Sequence, residues 1–162
     1  MVEKMHLREL VRIGGISVYV NSEGTYVMFT SGLQICNDGS GPQHGDKTYL
    51  PKTAYYNGGK YLNADVDRYI VVPPQIRKLV KPKVMGCQAR LTNLHTEVEK
   101  DAVVGEIGPA GKLGEAAYCL AKLINPKITH NSGDTQRLYL YELWPGTPAL
   151  VGAKRYKLEP VG

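Results

Sequence analysis

The stretch AVVGEIGPAGKLGEAAYCLAK, Ala102–Lys122, decides how the rest of the chain is read. Its front part, DAVVGEI (Asp101–Ile107), is a run of small and β-branched residues stopped by a Gly-Pro pair, which predicts a strand ending in a turn. A period of two sets Ala102, Val104 and Glu106 on one face, and Val103, Gly105 and Ile107 on the other. Glu106 therefore stands on an otherwise apolar face, where a charge costs free energy unless it reaches water or a partner. The rear part, GEAAYCLAKLI (Gly114–Ile124), predicts a helix, because Leu113, Ala116, Ala117, Leu120 and Ile124 recur at helical spacing and Asn125-Pro126 ends the run. Glu115 then falls in the first helical turn, where the macrodipole favours an acid and lowers its pKa.

Outward from this stretch the pattern is that of short strands. VMGCQARLTN (Val84–Asn93) precedes DAVVGEI across the charged turn HTEVEKD, and a hairpin is the simple connection. Leu10–Cys36 reads as a meander broken by Gly-Gly, Asn-Ser-Glu-Gly and Ser-Gly. Asn37–Lys52 collects Asp-Gly, Gly-Pro and Gly-Asp signals into a long surface loop of the kind that often carries function. YIVV (Tyr69–Val72) is a buried-strand pattern closed by two prolines, and RLYLYELWPG alternates Leu138, Leu140 and Glu142 with Tyr139, Tyr141 and Leu143. No internal repeat or linker is evident, so residues 1–162 read as a single domain.

The composition agrees with many turns between short strands: 18 Gly, 10 Pro and 11 Tyr stand against a single Phe. Cys36, Cys87 and Cys119 are widely spaced and odd in number, which predicts buried free thiols and neither a zinc site nor a disulfide framework. The first ten residues, MVEKMHLREL, carry acids and no apolar core, unlike a secretory signal, and no apolar run is long enough to span a bilayer. A net charge of +5 raises nucleic acid as a partner. Only RKLVKPK (Arg77–Lys83) and KRYK (Lys154–Lys157) are dense in cations, and neither lies on a recognition helix or an aromatic RNA-binding strand. Both are read as solvated loops.

The two acids admit a chemical reading. Glycoside hydrolysis uses one carboxyl group to protonate the leaving oxygen and a second to act on the opposite face of the sugar. Glu106 and Glu115 are separated by eight residues, a turn that can bring both to the rim of one cleft.

Three stretches in order, YVMFTSGLQICNDG, AVVGEIGPAGKLGEAAYCLAK and YELWPGT, resemble the fungal-type chitosanases of glycoside hydrolase family 75. The resemblance runs from Val18 to Thr147 and is most specific in the middle stretch, where Gly-acid-x-Gly-Pro and Lys-hydrophobic-Gly-Glu occur at fixed spacing. It implies that Glu106 and Glu115 are the catalytic pair, with Glu106 standing where the family has Asp, and that Asp38 and Gly39 are what remains of a more acidic front motif. The strand, Gly-Pro turn, Gly-Glu and helix order also looks like one half of a double-psi β-barrel. The fold expected is mainly β: a small six- or seven-stranded barrel, double-psi-like, with one short helix packed on it.

The function so implied is an inverting endo-glycosidase acting on β-1,4 links of chitosan or a related amino-sugar polymer, with Glu115 as general acid and Glu106 as general base. Asp38 and Asp46 are candidates to bind sugar ammonium groups, and Tyr55, Tyr56 and Tyr61 to stack on sugar rings. His44 is read as a lone, solvated loop histidine. Neither cofactor nor metal is expected, and the resemblance implies a secreted or released protein where the start of the chain alone suggests a cytoplasmic one. The alternative is a non-catalytic carbohydrate-binding or structural module that kept the fold, for example in a phage or secretion particle.

Overall fold

In the computed structural model, which describes residues 6–159, the strands β3 (Val27–Cys36), β6 (Tyr69–Val72), β7 (Cys87–Asn93), β8 (Glu99–Ile107), β9 (Glu115–Ala117) and β10 (Asp134–Pro148) close into a six-stranded barrel. Before them, β1 (Leu7–Ile13) and β2 (Ile16–Asn21) form a hairpin that pairs with the start of β3. The small hairpins β4–β5 (Tyr56–Asn57, Lys60–Tyr61) and β11–β12 (Leu150–Val151, Lys154–Arg155) lie outside the barrel sheet. The expectation for the start of the chain falls in part on residues 1–5, outside the described residues. Among the described residues no helix is long and apolar enough to cross a membrane.

Around the barrel the order is β3-β10-β7-β8-β6-β9, with β9 returning to β3. Two pairs are parallel, β6 with β8 and β3 with β9, while β6 and β9 meet antiparallel between them. Exchanging β3 with β8, β6 with β9 and β7 with β10 leaves this ring unchanged. Each triplet also carries a short helix before its last strand, α1 (Pro74–Leu79) or α2 (Tyr118–Ile124). The barrel is thus two interlocked ββαβ units, a repeat of topology that the residues themselves do not display.

Burial follows from closure. All four residues of YIVV are buried, as are Ala102–Val104 of β8, because the barrel interior takes one face and the helices and loops cover much of the other. Phe29 and Tyr141 stack at 4.8 Å between facing strands, and Leu120, Ala121 and Ile124 of α2 are buried. The three cysteines are unpaired, Cys36 and Cys87 buried and Cys119 partly so.

Three local readings need correction. The helix does not begin at Gly114: Glu115–Ala117 is a strand, and only from Tyr118 does the chain turn helical. The reason is tertiary, since β9 bonds to β3 on one side and to β6 on the other, and without it both neighbours would bury unpaired backbone groups. There are two short helices where one was expected, for Pro74–Leu79 turns helical with Ile76 buried and Pro at its first position. Arg77 and Lys78 therefore sit on a helix, and Arg77 pairs with Glu159. Finally, the period of two along β8 is broken. Ile70 lies opposite Val104 but Val71 lies opposite Glu106, so Gly105 is an extra bulged residue that moves Glu106 to the face opposite Val104. A Cβ at Gly105 would stand 2.8 Å from the Cβ of Tyr69, which leaves glycine as the residue that fits the bulge.

Gly114 sets the start of β9. Its φ is +93°, and an added Cβ would lie 2.7 Å from the Gly32 carbonyl oxygen and 2.5 Å from the Ser31 hydroxyl. Gly114→Ala should therefore lower the unfolding free energy by about 3 kcal/mol, the sum of backbone strain and overpacking. Gly111→Ala, in the same turn with open space around it, should stay close to wild type; urea denaturation of the two variants measures the difference.

Candidate active site

The register of three strands builds a row of side chains. Glu106 on β8 lies opposite Val71 on β6, and Val71 lies opposite Glu115 on β9, which in turn lies opposite Gln34 on β3. Residues paired in this way point to one side of a sheet, so both glutamates flank Val71 on the same face. With strands about 4.8 Å apart, the two Cα atoms stand roughly 9 to 10 Å from each other.

This face is the floor of a cleft of about 360 Å³, lined by Glu106, Glu115, Asp38, Asp46, Asn37 and Lys112 among others. Asp38 and Asp46 come from the long loop after β3. Asp38 Oδ1 accepts the backbone N–H of Leu50 at 2.8 Å, and Tyr69 donates its hydroxyl to the Asp38 carbonyl oxygen at 2.8 Å. Those bonds fold the loop back over the end of β3. Asp46 is an Asx-turn residue: its Oδ1 accepts from the Thr48 amide (2.8 Å) and hydroxyl (2.7 Å), and its Oδ2 accepts from Asn37 Nδ2 (3.1 Å). Burial pushes its pKa up, but these donors outweigh it and hold the group below the usual carboxylate range.

Of the four acids in the cleft Glu106 is the least exposed, at 6%. Its Oε1 accepts from the backbone amides of Ala54 (2.8 Å) and Ile107 (3.0 Å). Burial raises its pKa, the two amides oppose the rise, and a hydrogen bond and like charge from Asp38 add to it, leaving the value at about 7. Carboxylate oxygens of Asp38 and Glu106 lie within 4.8 Å of each other, close enough for the charge of one to oppose ionisation of the other. Glu115 is partly exposed. Burial raises its pKa as well, against the pull of Lys112, whose Nζ is 3.5 Å from Glu115 Oε1. The helix-dipole lowering expected for Glu115 does not operate, since the residue is on a strand.

Cys36 completes the cluster beside Asp38 and Glu106, with donor atoms of all three within 4.8 Å. Burial pushes its thiol far above the ordinary range, so Cys36 keeps its proton where a soft cation would need a thiolate.

The structure brings Glu106, Glu115, Asp38 and Asp46 together in one cleft and leaves the tyrosines outside it. Tyr55 is 5% exposed, its ring against Tyr156 and its hydroxyl donating to the Lys157 carbonyl oxygen at 3.0 Å. Tyr56 is exposed on the β4–β5 hairpin with its ring 4.8 Å from that of Tyr61, and Tyr55 and Tyr61 line a separate pocket. Sequence reasoning missed Lys112 and Asn37. Lys112 is in the Lys-hydrophobic-Gly-Glu motif, three residues before Glu115, a spacing that offered the signal; Asn37 precedes Asp38 and offered none. No family model matches the chain, and no curated protein matches it.

A carboxyl group whose folded pKa lies above its unfolded value stabilises the fold below the unfolded pKa and loses that contribution as pH rises. For Glu106 the window runs from 4.5 to about 7, and the loss amounts to about 3 kcal/mol at most. Glu106→Gln keeps an acceptor for Ala54 and Ile107 and never ionises. Its stability at pH 8 should exceed that of the wild type by 1 to 3 kcal/mol, roughly, with the difference vanishing near pH 4; denaturant melts across this range are the check.

Proposed function

We propose that the cleft hydrolyses glycosidic bonds within an amino-sugar polymer, chitosan or a close relative, with inversion at the anomeric carbon. The observation that carries this reading is the row Glu106–Val71–Glu115: two acids on one face, two strand spacings apart. Inverting enzymes separate their carboxyl groups by about 6.5 to 9.5 Å, leaving room for one water beside the sugar. The resemblance of the same stretch to the family 75 chitosanases supports the reading independently of the geometry.

The electrostatics favour exchanging the two roles expected from the sequence. Glu106, with a pKa near 7 and Asp38 beside it, is the group that holds a proton at neutral pH and can pass it to the leaving oxygen. Burial raises the pKa of Glu115 too, but Lys112 beside it opposes the rise and favours the ionised form that can take a proton from the attacking water. The step balances: the C–O bond to the leaving sugar breaks, water forms the new C–O bond, one proton leaves Glu106 and one arrives on Glu115.

Charge supports the polymer class. The cleft gathers four acids around the single cation Lys112, although the whole chain carries +5. Two cations of the basic segments are engaged elsewhere, Arg77 with Glu159 and Lys154 with Asp67. A polycation therefore meets a locally acidic surface.

Reducing-end release from chitosan oligomers tests the function, and leaving-group dependence tests the roles. Glu106→Gln should lose on the order of a hundredfold or more on chitosan oligomers and much less on an aryl glycoside, whose leaving group needs little protonation. Glu115→Gln should lose comparably on both. The reverse pattern would restore the roles expected from the sequence. No hydrolysis by the wild type would favour the non-catalytic binding or structural module of the alternative reading, and equal rates in wild type and both variants would remove the two glutamates from the reaction.

A further inference from the structure

We propose that His44, Asp65 and His130 form a binding site for a divalent transition cation of the Zn²⁺ or Co²⁺ type, apart from the acidic cleft. His44 lies in the long loop after β3, Asp65 in the turn after β5 and His130 in the turn after α2. Their donor atoms nevertheless fall within 4.8 Å of one another. His44 Nε2 is 2.7 Å from Asp65 Oδ2, and His130 Nε2 is 3.2 Å from Asp65 Oδ1. All three side chains are between a quarter and a third exposed, so an ion can enter.

The site is built from behind at each ligand. Asn131 Nδ2 donates to the His44 carbonyl oxygen (2.9 Å), Asn37 Nδ2 donates to that of His130 (2.9 Å), and the Asp65 amide donates to Asn63 Oδ1 (2.9 Å). Tyr118 stacks on His130 at 3.4 Å, and His130 on His44 at 3.5 Å, which confines both imidazoles to one side of the carboxylate. These bonds tie down the backbone of the three ligand residues, which keeps the turns that carry them together.

The donor set selects the ion. Two imidazole nitrogens and one carboxylate suit Zn²⁺, Co²⁺ and Ni²⁺, whereas Ca²⁺ and Mg²⁺ call for oxygen alone. Three protein donors leave a fourth position for water. The two imidazole planes stand 18° apart in the stack, so binding requires one ring to turn out of it before both nitrogen lone pairs meet at one ion. Because Asn37 and Asn131 also border the acidic cleft and its neighbouring recess, a bound ion would hold the cleft rim in place without entering the reaction. The proposal does not depend on the glycosidase reading.

The test uses the full chain after treatment with a chelator. Co²⁺ titration followed by visible absorption, and Zn²⁺ competition against a chromophoric chelator, should each find one ion per chain, with affinity falling about tenfold or more in Asp65→Asn and in His44→Ala. His95→Ala, an exposed histidine outside the cluster, should bind as wild type does. In the wild-type protein, Zn²⁺ should shift the NMR signals of the His44 and His130 rings and leave that of His95, an outcome independent of whether the variants fold. No saturable binding, binding that Asp65→Asn and His44→Ala leave unchanged, or ring signals that stay still on adding Zn²⁺ would each overturn the proposal.

Discussion

The barrel closes through three residues. Glu115–Ala117 must pair with Gln34–Cys36 in parallel on one side and with Ile70 and Val71 antiparallel on the other, and among the described residues no other segment joins those two edges. Apart from Glu115, its two side chains, Ala116 and Ala117, point to opposite faces and are both fully buried, small enough for the sheet to be covered closely on either side. It must also enter at a sharp angle, which Gly114 provides. Most other features of the molecule depend on this seam.

The cleft is one of them. A parallel pair of strands fixes which residues stand side by side, and the β6–β8 and β6–β9 registers together align Glu106, Val71 and Glu115. The bulge at Gly105 is what turns Glu106 into that row, and the backbone amides of Ala54 and Ile107 keep it from being a bare buried charge. The raised pKa of Glu106 is thus a product of the fold's geometry, from closure, bulge and the returning loop that brings Asp38. A flat sheet with regular alternation would have pointed the same glutamate toward the face of Val104.

Much of this was legible in the residues. β-branched runs between Gly and Pro signals marked the meander, the buried YIVV strand and the β7–β8 hairpin, because strand propensity and turn chemistry are local. Glu106 and Glu115 stand in one motif and Asp38 and Asp46 in one loop, which marked the acids without fixing that motif and loop meet. What could not be read were the features set by distant partners. Glu115–Ala117 has a helical composition and becomes a strand because two edges need it. Gly105 looks like an ordinary strand glycine until β6 fixes the register. Tyr55 is as amphipathic as Tyr56, yet one is buried by Tyr156 and the other stands in solvent. The grouping of His44 with His130 and Asp65 joins three turns with no shared pattern.

Interlocking also dictates when the fold can exist. β6 of the first ββαβ unit sits between two strands of the second, and β9 of the second sits between two strands of the first, so neither unit has a sheet of its own to complete. β3 waits for β9 and for β10, the latter more than a hundred residues downstream, before its edges are covered. During synthesis β3 and β7 therefore lack their shared neighbour until β10 has been made. A chain of this topology is made vectorially but folds as a whole, and for that interval its own unsatisfied strand edges are its main hazard.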